Sequence, residues 1–87
     1  MAVVWIPPFL ESLTGGAHKV TVSGRNLRQV LNSLDTLYPG IKDALLEEDH
    51  IHPSIAVVID GATGHLELIE PVREESEIHF IPAISGG

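Results

Sequence analysis

The sequence contains no cysteine. A chain without thiols cannot form disulfides, and it cannot hold zinc or an iron–sulfur cluster through cysteine ligands. It also has no thiol nucleophile and no side chain that could carry a persulfide. These absences exclude several classes of redox and metal protein. They leave the redox compartment open, because a chain without thiols suits either one.

Basic residues are also scarce. Five Lys and Arg stand against twelve Asp and Glu, which gives a formal net charge of −7. Binding to nucleic acid or to an anionic membrane depends on cationic contacts, so we expect neither of these partners. A basic surface on another protein suits this charge better, although solubility alone would also explain it.

The chain has no long apolar run. A clear apolar run is the segment Ile55–Ile59, whereas a membrane-spanning helix needs about 20 apolar residues. The first residues lack a basic stretch and are interrupted by Pro7-Pro8, so a signal peptide is not expected. The 87 residues are therefore predicted to form one small cytoplasmic domain.

The clearest pattern in the chain is an amphipathic helix. Asn26 is placed to cap its N-terminus, and Gln29 completes a capping-box pattern. Tyr38-Pro39-Gly40 then ends the helix, since proline cannot continue the hydrogen-bond ladder and glycine suits the C-terminal cap. The apolar positions recur with the period of one helix face; they are Leu27, Val30, Leu31, Leu34 and Leu37.

Strands are predicted on both sides of this helix. Residues 3–6 and 19–23 are rich in β-branched residues or alternate between polar and apolar. The Thr14-Gly15-Gly16 turn signal between them predicts a hairpin. After the helix, residues 41–46 predict a short helical turn, and residues 47–54 predict a polar loop.

The C-terminal half predicts three further strands. Ile55–Ile59 is apolar on both alternations, which is typical of a central strand covered on both faces. Asp60-Gly61 predicts a hairpin turn into a short strand over residues 65–68. A charged connection over residues 70–77 leads to the last strand, residues 78–81.

The resulting order is β-β-α-β-β, with the short strand over residues 65–68 in addition and with only one long helix. It predicts an α+β domain in which a mixed four- to five-stranded sheet packs on one main helix. This is the β-grasp pattern of ubiquitin-like proteins. We assign residues 1–81 to this domain and residues 82–87 to a flexible C-terminal tail.

The tail ends in Gly86-Gly87. Two terminal glycines leave the carboxylate on a thin, unbranched segment with nearly free backbone dihedrals. Such a segment can enter a narrow slot in a partner and present its own carboxyl carbon for chemistry. The alternative is a frayed end without a role.

Four strings resemble the ThiS/MoaD family of ubiquitin-like sulfur carrier proteins: Val22-Ser23-Gly24-Arg25-Asn26-Leu27, Tyr38-Pro39-Gly40, Ile59-Asp60-Gly61 and Pro82-Ala83-Ile84-Ser85-Gly86-Gly87. The resemblance spans residues 3–87, and the terminal string is its most specific part. It implies a β-grasp fold and a C-terminal carboxylate that an E1-like enzyme adenylates. A sulfur donor then converts this group to a thiocarboxylate, which gives its sulfur to a biosynthetic acceptor.

The resemblance also implies roles for individual residues. Gly87 would carry the adenylate and then the thiocarboxylate, while Gly86, Ser85, Ile84 and Pro82 would be recognised as the tail. Pro82 is expected to stiffen the root of the tail and to end strand pairing there. The protein would be a cosubstrate and not an enzyme, with no bound cofactor, and the activating enzyme would consume ATP. The absence of cysteine agrees with this role, because the sulfur would reside on the terminal carbonyl.

Two positions depart from the family pattern. Asp60 stands where the family often has Asn, and either residue tolerates the turn. Residues 74–77 read Glu-Glu-Ser-Glu where an Asp-Gly-Asp-like turn is common. The geometry of the turn before the last strand therefore cannot be carried over from the family.

The resemblance leaves the receiving pathway open. Ile6-Pro7 and Thr14-Gly15-Gly16 resemble CysO-type carriers, which supply sulfur for cysteine synthesis. Tyr38-Pro39 and the Ile84-Ser85-Gly86-Gly87 ending equally resemble MoaD, the small subunit of molybdopterin synthase, and thiamine-type carriers rank third. The acceptor would accordingly be a cysteine synthase-like enzyme or the large subunit of molybdopterin synthase. A ubiquitin-like modifier conjugated to lysine is a further alternative.

A partner-binding face is predicted on the outer side of the sheet. His79 and Ile81 alternate away from Ile78 and Phe80, which share the other face of the last strand. Trp5 either joins His79 and Ile81 on the surface or belongs to the core. Together with the tail, this face is expected to contact the activating enzyme.

Other groupings of polar residues predict no site. His50 and His52 lie beside Glu47, Glu48 and Asp49, but their spacing is not specific for a metal, and a solvated loop is favoured. The remaining histidines are scattered along the chain, so no Ser-His-Asp arrangement follows from spacing. We therefore expect no metal.

Overall fold

The computed structural model describes residues 1–62 and 67–83. Its elements, in chain order, are β1 (Ala2–Trp5), a 3₁₀ helix (Pro8–Leu13), β2 (Lys19–Val22), α1 (Leu27–Leu37), α2 (Ile41–Leu45), β3 (Leu46–Glu47), β4 (His50–Ile51), β5 (Ile55–Ile59) and β6 (Glu77–Pro82). The strands β1, β2, β5 and β6 form one mixed sheet, and β3 and β4 form a separate hairpin. The predicted α+β architecture, with one main helix packed on a mixed sheet, is confirmed.

The first and last strands lie side by side at the centre of the four-stranded sheet, whose order is β2-β1-β6-β5. β1 and β6 are parallel, and each has an antiparallel partner on its other side. This register sets Val4 beside Ile78 and Trp5 beside His79. The C-terminal ends of the two strands consequently meet at the same end of the sheet.

The core lies between the inner face of this sheet and α1. Of the apolar positions predicted on one helix face, Leu37 is the exception, because it is 55% exposed. Successive side chains of a helix are about 100° apart around its axis, so Leu37 points about 70° away from the mean direction of the other four apolar residues. Tyr38 is nearly aligned with that direction. Tyr38 accordingly packs against the core in its place. The buried helix residues are Leu27, Val30, Leu31 and Leu34.

The N-terminus of α1 has the predicted cap, with one difference. Asn26 Oδ1 accepts a hydrogen bond from the Gln29 N–H at 2.9 Å. The Gln29 side chain reaches back to the Arg25 N–H, also at 2.9 Å, and so bonds the residue before the cap. Both side chains therefore satisfy backbone donors at the helix entrance.

No helix within residues 1–62 and 67–83 has both the length and the apolar character to cross a membrane.

The predicted polar loop over residues 47–54 is wrong in part, because a small hairpin forms there. Leu46 and Glu47 pair with Ile51 and His50. The two residues between the strands, Glu48 and Asp49, have φ angles of 51° and 64°, as a two-residue hairpin turn requires. The sequence hides this turn because its first residue, Glu48, is not a type that favours positive φ.

The hairpin is tied to the main helix by an ion pair. The two terminal guanidinium nitrogens of Arg28, Nη1 and Nη2, each donate to one oxygen of the Asp49 carboxylate at 2.9 Å. The hydrogen bonds from Arg28 lower the pKa of the Asp49 carboxyl. Both side chains are exposed to solvent, so the pair orients the hairpin more than it stabilises the fold.

The prediction that β5 is a central strand is wrong, since β5 lies at one edge of the four-stranded sheet. Ile55, Val57 and Ile59 face the core, while Ala56 and Val58 are half-buried on the outer face. A run that is apolar on both alternations therefore reflects a partly covered outer face and not a central place in the sheet. The outer face gains apolar surface from these two side chains.

The short strand predicted over residues 65–68 falls partly outside the described residues, which exclude 63–66. Glu67 and Leu68 are described and belong to no strand. Leu68 is buried, and its carbonyl accepts a hydrogen bond from the Arg28 N–H at 2.8 Å. Leu68 thus contributes to the core from a turn beside the start of α1.

Hydrogen bonds to the Asp60 side chain hold the start of β6 in place. The Asp60-Gly61 turn is present, with φ angles of 50° and 81°. The Asp60 carboxylate accepts hydrogen bonds from the Glu77 N–H at 2.9 Å and from Ser76 Oγ at 2.7 Å. Arg73 Nη2 lies 3.4 Å from the same carboxylate. These donors, the Glu77 N–H above all, lower the pKa of Asp60.

The turn before β6, which the family pattern left open, is closed by its own residues. The Ser76 N–H donates to the Arg73 carbonyl at 3.1 Å, and the Arg73 N–H donates to Ser76 Oγ at 2.8 Å. Ser76 is buried, so one hydroxyl serves both this turn and Asp60. This network sets the residue at which β6 begins, and with it the register of the strand.

Asp60→Asn is expected to lower the free energy of unfolding at pH 7 by about 1 kcal/mol, because the charged acceptor is lost and the carboxylate is only partly shielded from solvent. The pKa of Asp60 is lower in the folded than in the unfolded state. Its stabilising contribution is therefore present above the unfolded value of about 3.9 and is lost as the pH falls through the folded one.

Urea unfolding at pH 7 and at pH 3 measures this effect. The gap between wild type and Asp60→Asn should shrink at the lower pH. Glu75→Gln serves as the control, since the exposed Glu75 makes no hydrogen bond within the described part of the chain. A gap that stays constant with pH would contradict the role of the Asp60 charge.

Candidate functional site

The predicted partner face is brought together on the outer side of the sheet. Along β1, Ala2 and Val4 are buried while Val3 and Trp5 are half-buried and point the other way. Trp5, for which the sequence left core or surface open, therefore lies on the outer face. The register places it next to His79, so two of the three predicted face residues are direct neighbours.

The Trp5 and His79 rings form a stacked pair. Their centroids are 5.6 Å apart, and their planes differ by 7°. Lys19 Nζ lies 5.2 Å from the centroid of the Trp5 ring, a cation–π contact. The Trp5 Nε1–H donates to Glu77 Oε1 at 3.1 Å. The stack is thus held in one orientation, with a positive charge on one side and a carboxylate on the other.

Lys19 and Glu77 were not among the predicted site residues. Lys19 faces Trp5 through the β1–β2 register, and the long connection between these strands hides that register in the sequence. Glu77 is two residues before His79, on the same face of β6. Strand alternation was the one signal that could have found it.

Ile81 extends the stack toward the end of the sheet. It follows His79 on the same face of β6 and is 45% exposed. On the neighbouring strand, Val58 is level with His79 and Ala56 is level with Ile81. We call these five residues, Trp5, Ala56, Val58, His79 and Ile81, the outer-face patch. It offers a contiguous, partly exposed apolar and aromatic surface.

The root of the C-terminal segment is paired more firmly than predicted. Pro82 belongs to β6 and lies level with Ile55. The next residue, Ala83, donates its N–H to the Ser54 carbonyl at 2.8 Å. The strand therefore ends at Pro82, as predicted, and one further hydrogen bond follows it at Ala83.

A proline fits at this position because of the direction of its nitrogen. The hydrogen bonds at the two ends of the β5–β6 pair involve Glu77 and Ala83. Between these residues, the backbone N–H and C=O groups of β6 point alternately toward β5 and away from it. The nitrogen of Pro82 therefore points to the other side, toward β1, where β1 has already ended at Trp5. No ladder hydrogen bond is lost.

The four remaining tail residues of the prediction, Ile84, Ser85, Gly86 and Gly87, lie outside the described residues. Ala83, the residue before them, lies at the end of the sheet where the outer-face patch reaches Ile81. The sequence therefore joins the predicted reactive group to the patch through a short segment.

The histidines of the β3–β4 region lie near glutamate side chains. His52 Nε2 is 3.5 Å from Glu47 Oε2, and His50 Nδ1 is 4.0 Å from Glu67 Oε2. Within residues 1–62 and 67–83, no three His, Cys, Asp or Glu side chains come together in a way that could hold a metal ion.

The family of the chain follows from comparison with known proteins. The model of the ThiS family matches residues 5–87, which is nearly the whole chain. The chain therefore belongs to the ThiS family. This agrees with the resemblance drawn from the four sequence strings.

Individual relatives are similar over almost their full length. Sulfur carrier protein CysO of Mycobacterium tuberculosis is 26% identical over 89 residues, which cover 97% of this chain and 96% of that protein. A chain in the crystal structure of the Amycolatopsis orientalis BexX/CysO complex is 27% identical, with a TM-score of 0.87 and full coverage of both chains.

A third relative carries a different name. The small archaeal modifier protein 1 from Methanosarcina acetivorans, known from a solution structure, is 26% identical, with a TM-score of 0.75. The match covers 99% of this chain and 95% of that one. Together these likenesses confirm the predicted β-grasp, ubiquitin-like fold.

The stack on the outer face predicts a measurable coupling between its two rings. In a double-mutant cycle with Trp5→Leu and His79→Ala, we expect a coupling of about 0.5–1.5 kcal/mol, as for other aromatic pairs. Urea unfolding supplies the four free energies. As a control, Trp5→Leu combined with Ile69→Ala, which changes a residue beside α1, should be additive within about 0.5 kcal/mol. A coupling of zero would mean that the rings do not stack in solution.

Proposed function

We propose that the protein is a sulfur carrier in which an E1-like enzyme adenylates the Gly87 carboxylate at the expense of ATP and a sulfur donor converts it to a thiocarboxylate. The observation that carries this proposal is the ThiS family match, which extends through Gly86 and Gly87. The CysO relative, named a sulfur carrier protein, aligns over 97% of the chain and supports the same role.

The chemistry requires activation of a poor electrophile. A carboxylate resists nucleophilic attack, so ATP is used to form a mixed anhydride between the Gly87 carboxyl group and AMP, with pyrophosphate as the leaving group. Sulfide supplied by the donor then attacks the carbonyl carbon, a C–S bond forms, the C–O bond to AMP breaks, and AMP leaves. The carrier supplies the acyl group, and the acid, base and sulfur come from its partners.

The length of the terminal segment decides where the activating enzyme must bind. Four residues separate the described chain from its end, and fully extended they span at most about 14 Å from Ala83. An active site that reaches Gly87 therefore lies within that distance of the sheet. We infer that the enzyme covers the surface around Ala83, including Ile81 and the adjacent part of the outer-face patch.

The charge of the chain supports a basic partner surface. The formal net charge is −7, and Glu77 lies at the border of the patch. Complementary charge speeds association and selects the partner, while the apolar patch supplies the buried contact. We infer that the activating enzyme combines an apolar centre with a basic rim.

For the acceptor, we favour the cysteine-type pathway, because the mycobacterial relative is a CysO protein. A second candidate function is that of a protein modifier, in which Gly87 forms an isopeptide bond with a lysine. The likeness to small archaeal modifier protein 1 supports it. Purification of the tagged protein from its native cell separates the two, since a carrier yields free thiocarboxylate and a modifier yields a ladder of conjugates.

The terminal residue provides the most direct test. After incubation with ATP, the E1-like enzyme of the same genome and a sulfide source, wild type should gain the mass difference between one sulfur and one oxygen atom. Deleting Gly87, or adding one residue after it, should abolish loading because the carbonyl carbon is displaced. Gly86→Ala should load at an intermediate rate, since the methyl group narrows clearance and restricts φ. Mass spectrometry of the intact protein measures loading of wild type and of the three variants.

The thermal unfolding midpoint should be the same for these variants, because residues at a chain end contribute little to the core. This control separates loss of chemistry from loss of fold. A variant extended by one residue that is loaded as fast as wild type would contradict the proposal that the Gly87 carboxylate is the reactive group.

A second test addresses the outer-face patch. Ile81→Glu should raise the KM for adenylation at least about tenfold, because docking would bury an unpaired carboxylate. The fold should survive, since Ile81 is 45% exposed. Ile69→Glu is the matched control: it places the same charge on an isoleucine that is 78% exposed and lies beside α1. Equal KM values for the two variants would show that the enzyme docks elsewhere.

A further inference from the structure

His52 occupies the first position of a tight turn that leads into β5. The Ile55 N–H donates to the His52 carbonyl at 2.9 Å, which closes a four-residue β-turn with Pro53 in its second position. Proline favours that position because its fixed φ suits the turn. The first position of such turns is commonly Asn or Asp, whose side chain accepts from the N–H two residues later.

Here a histidine ring performs that function. His52 Nδ1 accepts a hydrogen bond from the Ser54 N–H at 3.1 Å, and Ser54 Oγ lies 2.7 Å from the same nitrogen. Because the backbone N–H is a donor, Nδ1 must be the unprotonated nitrogen of the ring, and the Ser54 hydroxyl donates to it as well. Both donors of Ser54 thus point at one acceptor.

The ring and its backbone are themselves held in place. The His52 N–H donates to the Leu45 carbonyl at 2.9 Å, at the end of α2. On the far side of the ring, Nε2 lies 3.5 Å from Glu47 Oε2, which suits a proton on Nε2. The turn is therefore fixed from both the helix and the small hairpin.

The turn matters because of what Ser54 does with its carbonyl. That oxygen accepts the Ala83 N–H at 2.8 Å, the last hydrogen bond of β6 in the part of the chain that the structure describes. A chain of contacts consequently runs from Glu47 through His52 and Ser54 to Ala83. The Ser54 carbonyl and the Ile55 N–H belong to the same peptide group, so the turn that His52 closes holds the group to which Ala83 is bonded.

We propose that His52 is a positioning residue that anchors the root of the C-terminal segment, because it holds the turn whose Ser54 carbonyl is bonded to Ala83. This role rests on the proposed function of Gly87. Without that hydrogen bond Ala83 would be released from the sheet, and the activating enzyme would have to order one more residue of the chain. This additional loss of conformational entropy weakens binding.

Three substitutions of His52 separate this role from general packing. Asn carries an acceptor oxygen on Cγ, the same atom that bears Nδ1 in histidine, so His52→Asn preserves the bond from the Ser54 N–H. His52→Gln moves the acceptor one bond further out, and His52→Ala removes it. The shorter Asn side chain cannot contact Glu47, so this variant also tests whether the contact between position 52 and Glu47 is needed to hold Ala83.

Amide hydrogen exchange measured by NMR tests the relay without any partner. Exchange at Ala83 should match wild type in His52→Asn and be faster by about three- to tenfold in His52→Ala and His52→Gln, the factor for one net hydrogen bond. Exchange at the buried Phe80 should be unchanged in all three. Unchanged exchange at Ala83 in His52→Ala would overturn the proposal, and so would equal acceleration at Phe80 and Ala83.

Adenylation kinetics with the E1-like enzyme of the same genome test the consequence. His52→Ala and His52→Gln should raise KM by about three- to tenfold with kcat little changed, and His52→Asn should restore the wild-type KM. A wild-type KM in His52→Ala, together with faster exchange at Ala83, would overturn the positioning role. Failure of wild type to be adenylated would instead overturn the function proposed for Gly87, whatever the exchange pattern at Ala83.

Discussion

The parallel pairing of β1 with β6 is the contact on which the rest of this structure depends. It places the first and last strands side by side at the centre of the sheet, where Val4 and Ile78 are fully buried. Because the strands run in the same direction, the end of the first and the end of the last meet at one end of the sheet. Trp5 is therefore beside His79, and the aromatic stack sits close to the root of the C-terminal segment.

The two faces of that pair have separate tasks. The inner face packs on α1 and supplies most of the burial that stabilises so small a domain. The outer face is left half-covered, with an apolar patch and a few fixed charges. In the function we propose, the reactive group is at the chain terminus, so the folded body contributes recognition and an anchor for the terminal segment. Around the sheet, short polar networks at Asp60 and at His52 fix where β6 begins and hold Ala83 to the sheet.

Much of the fold was predictable because it rests on local patterns. The helix follows from its apolar period and its cap at Asn26, and the Asp60-Gly61 turn follows from residue types that accept positive φ. The faces of β6 follow from alternation, which placed His79 and Ile81 outside. Two of the misses concern position and not periodicity. Leu37 has the right spacing but lies where the helix face has rotated away, and β5 has the composition of a central strand at an edge.

The sequence by itself determined the type of each main element, the excess of negative charge, the lack of thiols and the Gly86-Gly87 ending, since these depend on residue identity and on spacing along the chain. Only the tertiary structure decided which strands are neighbours, that Trp5 stacks on His79 between Lys19 and Glu77, and that His52 reaches Ala83 through Ser54. These contacts join residues far apart in sequence. Their register is set by strand pairing and core packing across the whole domain, which no local pattern encodes.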